Sequence, residues 1–390
     1  MPDNLAKWRD VLLSTLQEAD AVNYSGYSKF DGLASPLTET LSFGWWPLRL
    51  VWTQIVMRSP FNIRPILGIK KGINPEAAAL FAHANLDCAS LEIPGSFRGR
   101  ARKCLDWLLE HDSSAQGNYH GRCWGYHHPW QSPGFYQPPG YPNCYITSIV
   151  TGALVRGYQV LGEKIYLDAA RSACDFILSD LPILYEDEGH KCIAYVPSMR
   201  IRMQVININA LSGAVLAQVG SLTDDQKLLR EATKLLGFVT SQQTNYGAWF
   251  YTTDSQQSLI AHDNYHTGMI LDALLSYEQA TGDLRFHRNW LEGLCFYRDQ
   301  LFLSNGAPKW CHTKALPHDV HGSAQGILTF SLAGDLEQAC KIADWGLANF
   351  YKQDGNFSYQ RHAIYQKSFT LQHWCNGWMA RGLGSLLLCH

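Results

Sequence analysis

Apolar residues in this chain recur at three- and four-residue spacing, and the runs they form are opened again and again by polar, aromatic clusters. Five clusters repeat the pattern: Asn143-Cys-Tyr145, Asn207-Ile-Asn209, Asp263-Asn-Tyr265-His266, His318-Asp-Val-His321 and Gln372-His-Trp374-Cys-Asn376. The spacing after each is helical rather than alternating. A first helix from Thr147 to Leu161, a Gly-Glu-Lys turn and a second helix from Tyr166 to Leu178 make one unit. Echoes run from Gly268 to about Phe302 and from Ser323 to about Tyr351. A repeat of roughly 50 to 60 residues signals stacked helical hairpins, which cannot bury their apolar stripes alone.

The units share a Gly-rich, aromatic tail, as in Gly121-Arg-Cys-Trp124, Tyr246-Gly-Ala-Trp249-Phe-Tyr251 and Asp354-Gly-Asn-Phe-Ser-Tyr359. Gly permits a tight turn, and the alternating residues that follow suit a short hairpin strand. Each tail leads into the next polar helix start, so tails and starts are expected on one face.

An Asn74-Pro75-Glu76 start, with Asn as cap and Pro at the first helical position, opens the first unit. Four more follow, and the last helix, Thr370 to Leu388, lacks a partner after it. A helix over about Leu5 to Ala19 can supply that partner. The expected fold is therefore all-α: an α/α toroid of about six helical hairpins, with short β-hairpins at the rim of the site. An open solenoid is the alternative. Residues 1–73 are expected to form an N-terminal arm and closing helix, and 74–390 the toroid, within a single domain.

Composition changes this picture little. With 46% hydrophobic and 17% charged residues over 390, the chain can bury a large core. A net charge of -2 gives no bulk attraction for nucleic acid. The opening MPDNLAKWRD is no secretory signal, no apolar run reaches the roughly 20 residues of a membrane span, and eleven scattered cysteines suit buried thiols in a reducing compartment. The expected location is cytoplasmic. Between Trp45 and Lys71, an apolar helix precedes Arg58, Arg64, Lys70 and Lys71. This stretch suits either an arm packed on the toroid or a peripheral contact with a membrane or a polysaccharide-assembly protein.

The candidate chemistry is that of sugars. Trp and Tyr are frequent in the tails and helix starts, where aromatic faces stack on sugar rings and Asn, Gln, His and Tyr bind hydroxyls. Converging helix N-termini favour an anionic group such as a uronate carboxylate, with Arg361, Lys314 and Arg122 nearby in sequence. A glycoside hydrolase needs two carboxylates, for which Asp263 and Asp319 are candidates, although both can serve as helix caps. An epimerase or lyase needs bases and a positive group beside the abstracted proton, and Tyr251, Tyr265, His266 and His321 suit that task. Cys311, His312, His318, His321 and Cys375 are of zinc-ligand type but lack zinc-site spacing, so neither a metal nor a cofactor is expected.

Several segments carry a resemblance: Tyr24-Ser-Gly-Tyr-Ser-Lys-Phe-Asp-Gly-Leu, Arg58-Ser-Pro-Phe-Asn-Ile-Arg-Pro, Asp263-Asn-Tyr-His-Thr-Gly, His321-Gly-Ser-Ala-Gln325-Gly and His373-Trp-Cys-Asn-Gly-Trp-Met. Together they resemble bacterial polysaccharide-biosynthesis proteins from exopolysaccharide clusters, in the six-hairpin glycosidase-like superfamily. That resemblance implies a toroid and a carbohydrate context. Tyr246 to Tyr251 followed by Asp263 to His266 also resembles the toroid of glucuronyl C5-epimerases, which implies acid/base roles for Tyr251 and Tyr265. Here Asn264 stands between Asp263 and Tyr265, and there is no separate N-terminal β region.

The expected function is a carbohydrate-active enzyme acting on a uronic-acid-containing saccharide by proton abstraction. Tyr265, Tyr251, His266, His321 and Asp263 are the catalytic candidates. Trp124, Tyr145, Asn209, Trp249, Asp319, Gln325, Tyr359, Arg361 and Trp374 are the candidates for holding the sugar. The alternatives are a hydrolase or polysaccharide lyase using Asp263 and Asp319, and a non-catalytic glycan-binding or assembly protein of polysaccharide export.

Overall fold

The computed structural model describes residues 2–132, 134–200, 202–255, 258 and 260–390. Its helices are α1 (Pro2–Ala21), α2 (Pro36–Leu41), α3 (Trp46–Arg58), α4 (Pro75–Ser90), α5 (Phe97–Glu110), a single turn α6 (Ser114–Gly117), α7 (Cys144–Leu161), α8 (Lys164–Ser179), α9 (Ile206–Thr223), α10 (Gln226–Ser241), α11 (Asn264–Thr281), α12 (His287–Leu301), α13 (Val320–Leu332), α14 (Leu336–Phe350) and α15 (Trp378–Leu388). A π-helical turn, Gln372–Gly377, runs into α15. The strands are short: β1 (Ser25–Gly26), β2 (Gly72–Ile73), β3 (Trp130–Gln131), β4 (Tyr136–Gln137), β5 (Ile183–Glu186), β6 (Lys191–Ile193), β7 (His318–Asp319), β8 (Gln360–Arg361) and β9 (Gln366–Lys367). All pair antiparallel, β1 with β2, β3 with β4, β5 with β6, and β7–β8–β9 in one sheet.

Six helices form a closed inner ring: α4 packs on α7, α7 on α9, α9 on α11, α11 on α13, α13 on α15, and α15 back on α4. A second helix backs each of them, α5, α8, α10, α12 and α14 in turn, with α1 against α15. The two layers differ in pattern because they differ in surroundings. α9 buries residues almost all round, whereas α10 buries the stripe Leu228, Ala232, Leu235, Leu236 and Val239 and leaves the opposite face to solvent. Small residues let the layers approach: a Cβ on Gly213 of α9 would lie 2.8 Å from Leu236 Cγ of α10. This is the α/α toroid, with short β-hairpins at one end.

The tails explain why the ring repeats so regularly. Gly306 and Gly355, both at positive φ, each sit against a carbonyl of the next outer helix, Lys341 of α14 and Ser14 of α1. A side chain at either position would strike that backbone at 2.7 Å. Three of the helix starts are also tied to the tail of the following unit. The Cys144, Ile206 and Val320 N–H groups donate to the carbonyls of Tyr195, Tyr251 and Tyr359. Tails and inner-helix N-termini therefore lie on one face.

Residues between α1 and α4 cross that face. β1 and β2 pair, the Gln372 N–H donates to the Tyr27 carbonyl, and the buried Arg64 Nε donates to Asp31 Oδ1 at 2.7 Å. The Arg64 Nη2 also reaches the Ser28 carbonyl, so one guanidinium fixes the loop that carries Lys29. Among the described residues the eleven cysteines are free thiols, most of them buried, and no helix is long and apolar enough to cross a membrane.

Candidate functional site

The inner helices begin with caps that their sequences supply. The side chains of Asn143, Asp263, Asp319 and Asn74 accept backbone N–H groups of the first turn at 2.9 to 3.1 Å. Asp263 Oδ2 also takes His266 Nδ1 at 2.7 Å. Asp319 accepts three donors: the His321 N–H and Trp374 Nε1 on Oδ1, and Gln360 Nε2 on Oδ2.

A second group of polar residues at the helix starts braces the hairpins rather than facing the mouth. Asn209 Oδ1 accepts the Ile193 N–H, and its amide donates to the Val205 carbonyl. Asn376 Oδ1 accepts the Phe357 N–H in the same manner. Asn209, expected as a sugar contact, is thus bound up in backbone.

The centre of the mouth is built around His321 in the first turn of α13. Its imidazole lies nearly parallel to the Tyr265 ring, at 4.8 Å and 11°, and to the Trp378 ring, at 4.5 Å and 24°; the Trp374 ring, perpendicular to it, closes a third side at 4.4 Å. His321 is fully buried, and among the described residues neither ring nitrogen has a hydrogen-bond partner. Burial, reinforced by Lys29 and neighbouring histidines, holds its pKa well below the usual histidine value, so the ring is neutral.

Beyond Trp378 lies Glu76, in the first turn of α4. Trp378 Nε1 and the Tyr145 hydroxyl both donate to Glu76 Oε1 at 2.9 Å, and His373 Nε2 stands 3.8 Å from Oε2. Burial pushes the Glu76 carboxyl up to about 7 against the pull of those donors and of Lys29. Lys29 reaches in from the arm. Its Nζ sits 3.4 Å from the Trp374 ring centroid and about 5.3 Å from that of Tyr265, yet among the described residues it makes no hydrogen bond or ion pair. Burial lowers its pKa to about 8, with Asp319 and Asp263 opposing. The π-helical turn puts His373 and Trp374 together at this point, as such turns often do at sites.

The structure brings Tyr265, His321, Trp374, Asp319, Tyr145, Asp263, His266 and Tyr251 to this end of the ring, the Tyr251 ring lying 4.7 Å from His266. Tyr359 is buried at its edge, beneath Lys367. Other candidates lie elsewhere. Trp124 and Trp249 are buried between the two layers, their Nε1 atoms donating to carbonyls of α5 and α10, so they form no stacking wall. Arg361 is exposed and donates to Asn349 Oδ1 on α14. Gln325 sits one turn below the mouth, its amide held by Asp272 and Thr329. The zinc-type residues scatter, His318 onto the Pro308 carbonyl and Cys311 onto Thr313, and among the described residues no three potential ligands converge.

Tyr251 and Tyr265 suit one half of the acid/base role expected of them, that of the acid. Burial, and after it Asp263, raises both phenols, Tyr265 well above the usual value. They are protonated donors, whereas a base would need a pKa drawn toward neutrality. Sequence reading missed Glu76, Lys29, His373 and Trp378. Glu76 follows the Asn-Pro cap and in the sequence is indistinguishable from part of that signal; the one available hint is an acid at the head of an otherwise apolar helix, Pro-Glu-Ala-Ala-Ala-Leu-Phe.

No protein-family model matches the chain, and no curated protein does. Solved structures do. The GH76 alpha-mannanase of Bacteroides thetaiotaomicron shares 13% identity over 80% of this chain and 85% of its own, with a TM-score of 0.59. The cellobiose 2-epimerase of Bacillus thermoamylovorans shares 12% over 81% and 87%, at 0.60. An unsaturated glucuronyl hydrolase specific for heparin shares 11% over 99% and 97%, at 0.61. The likeness is one of fold. It places the chain's architecture among six-hairpin toroids that include enzymes acting on sugars.

Proposed function

We propose that this protein is a sugar-modifying enzyme that moves a proton at carbon beside a carbonyl or carboxylate, an epimerase or isomerase, with a uronic-acid-containing saccharide as its substrate. The observation that carries the reading is the pairing of Glu76, poised near pH 7, with a neutral His321 whose nitrogens are unpartnered in a buried aromatic cage. An acid/base group works best with a pKa near the working pH. Unpartnered buried nitrogens cost free energy that a bound ligand's oxygens relieve.

In this scheme the Glu76 carboxylate takes the proton, and the electron pair left on carbon moves onto the carboxyl or carbonyl oxygen. A neutral imidazole N–H of His321 and the Lys29 ammonium meet that oxygen as its charge grows. The protonated phenol of Tyr265, across His321 from Trp378, returns a proton to carbon, and the phenolate and the protonated Glu76 left behind exchange with solvent to restore both groups before the next turnover. Lys29 also supplies what a uronate needs, a cation inside the site that no direct ion pair occupies, the role expected of Arg361. Solved structures of this fold whose names state such chemistry, the cellobiose 2-epimerase and a D-mannose isomerase, support the reaction class.

A second reading has one observation in its favour. A carboxyl raised to about 7 is also what the general acid of a glycoside hydrolase requires. Asp319 and Asp263, the other carboxylates, are engaged as caps. The test is incubation of the protein in heavy water with glucuronate- and galacturonate-containing oligosaccharides and with neutral disaccharides, followed by NMR and a reducing-end assay. Deuterium entering carbon without new reducing ends supports proton transfer. New reducing ends without exchange support hydrolysis, and binding with neither leaves a glycan-binding protein.

A further inference from the structure

The helix α3 carries apolar side chains on its outer face as well as its inner one. Its inward residues Thr53 and Val56 are buried, while Val51 and Ile55 face outward at 49% and 44% exposure, with Arg58 at the next turn of the same stripe. A surface helix ordinarily points charges outward. Trp45 and Trp46, both more than half exposed, stand at its start, and Phe43 and Ile66 nearby are 80% and 84% exposed. Nine of the 22 exposed large apolar side chains among the described residues fall within positions 37–66. The patch continues onto the β8–β9 hairpin, where Ile364 is exposed and Lys367 reaches back to the Met57 carbonyl.

The charges of the arm that have no ion-pair partner have one sign. Arg58, Lys70 and Lys71 are exposed, whereas the acids of the arm are engaged, Glu39 by Arg49 and the buried Asp31 by Arg64. Two copies meeting through this face would oppose these cations to one another, which disfavours a symmetric dimer. Apolar residues that enter the headgroup boundary, tryptophans at its level and exposed cations on the same arm describe a surface for anionic lipid. We propose that the arm from Pro36 to Lys71 docks this protein onto the surface of an anionic bilayer, with the toroid mouth beneath the arm held close to that surface. This does not depend on the reaction assigned to the site.

The test is flotation of the full chain with vesicles of phosphatidylcholine alone and of phosphatidylcholine mixed with phosphatidylglycerol, at low and at physiological salt. The expected result is recovery with the anionic vesicles, roughly tenfold or more above neutral ones, weakened by salt. The double variant V51D/I55D, both positions facing solvent, should lose that recovery while keeping the wild-type circular dichroism and melting temperature. The triple variant R58E/K70E/K71E should lose the preference for anionic vesicles. Absence of recovery, equal recovery by the variants, or a dimer in solution that V51D/I55D converts to monomer overturns the proposal.

Discussion

The Trp378 indole donates to Glu76 Oε1 at 2.9 Å across 302 positions of sequence, joining the last inner helix to the first where the ring closes. The same indole stacks on His321. One side chain therefore seals the toroid and holds the two proposed reacting groups in register.

Replacing Glu76 with Gln removes the ionisable group and keeps the oxygen that Trp378 and Tyr145 approach. Turnover should fall by roughly 10²- to 10⁴-fold. Stability should move the other way. The folded carboxyl sits near 7, above its ordinary 4.5, so between those values the native state binds the extra proton and stability declines as pH rises. Below 4.5 wild type and E76Q should match in this respect. Above 7 the variant should be the more stable, by an amount on the order of 3 kcal/mol at most. Urea unfolding of both proteins across pH 4 to 8, roughly bracketing the two pKa values, measures the gap, and a gap independent of pH would remove the raised carboxyl from the account.

Lys29 predicts a similar trade between stability and function. Its ammonium is buried against ring faces that return only part of its lost hydration. Lys29→Met keeps the stem and should stabilise the fold by about 1–3 kcal/mol at pH 7 while abolishing uronate turnover. The sign is opposite to that of Glu76. The folded pKa is about 8 against an ordinary 10.5, so the native penalty is complete below 8 and fades as pH climbs toward 10.5. The advantage of K29M should shrink over that window. A variant less stable than wild type at neutral pH would show that Lys29 is anchored by partners it lacks here.

The ring itself was legible because helical hairpins repeat their signals. Caps at Asn74, Asn143, Asp263 and Asp319, and turn glycines such as Gly306 and Gly355, act locally, and local rules are what a sequence displays. The site was legible only in part. Tyr265, His321 and Trp374 belong to the repeated starts and were found for that reason. Trp124 and Trp249 occupy equivalent positions in the repeated tails, yet their rings turn toward the outer helices, a choice set by packing between layers rather than by spacing. Lys29 and Glu76 escaped because their importance arises from burial. An ammonium in a turn and a carboxylate after Asn-Pro look ordinary until the ring closes over them.

Asp319 separates the two reaction classes. Its Oδ1 takes the His321 N–H and Trp374 Nε1, which an asparagine oxygen can also accept, while Oδ2 takes Gln360 Nε2, so the new amide fits once the Gln360 side chain turns its oxygen toward it. Asp319→Asn should therefore cost less than about 1 kcal/mol and leave turnover within roughly threefold. Asp319→Ala strands those donors and should cost about 2–4 kcal/mol. A hydrolase relying on the Asp319 carboxylate would instead lose turnover in both variants, which steady-state assays would reveal at once.

Arg64→Met tests whether the arm is a separable cover. Removing the guanidinium leaves Asp31 buried with only the Ser28 N–H, a loss of roughly 3–5 kcal/mol if the arm stays seated. Because α4 to α15 do not depend on this pair, detachment of the arm is the cheaper response. Hydrogen exchange should speed up across residues 24–73 and remain slow in the inner helices. Turnover should fall with it, since Lys29 leaves the site. Uniform acceleration through the inner ring would mean that the arm is an integral part of the toroid's stability.

Gly268 reports on the inner ring just below the mouth. A Cβ there would lie 2.4 Å from Gln325 Cγ and 2.9 Å from the Tyr297 hydroxyl, so α11 and α13 approach closely because position 268 has no side chain. A free glutamine would swing aside at little cost. Gln325 is held by Asp272 Oδ2 at 2.7 Å and Thr329 Oγ1 at 3.0 Å, and Tyr297 by Asn264 Oδ1 at 3.0 Å. Gly268→Ala should therefore destabilise by about 1–3 kcal/mol despite the better helix propensity of alanine. Parting α11 from α13 also parts Tyr265 from His321, so turnover should fall more than ligand affinity. Pairing the change with Gln325→Ala, which clears the space, should recover stability relative to the sum of the single variants, and strict additivity would count against contact at this point.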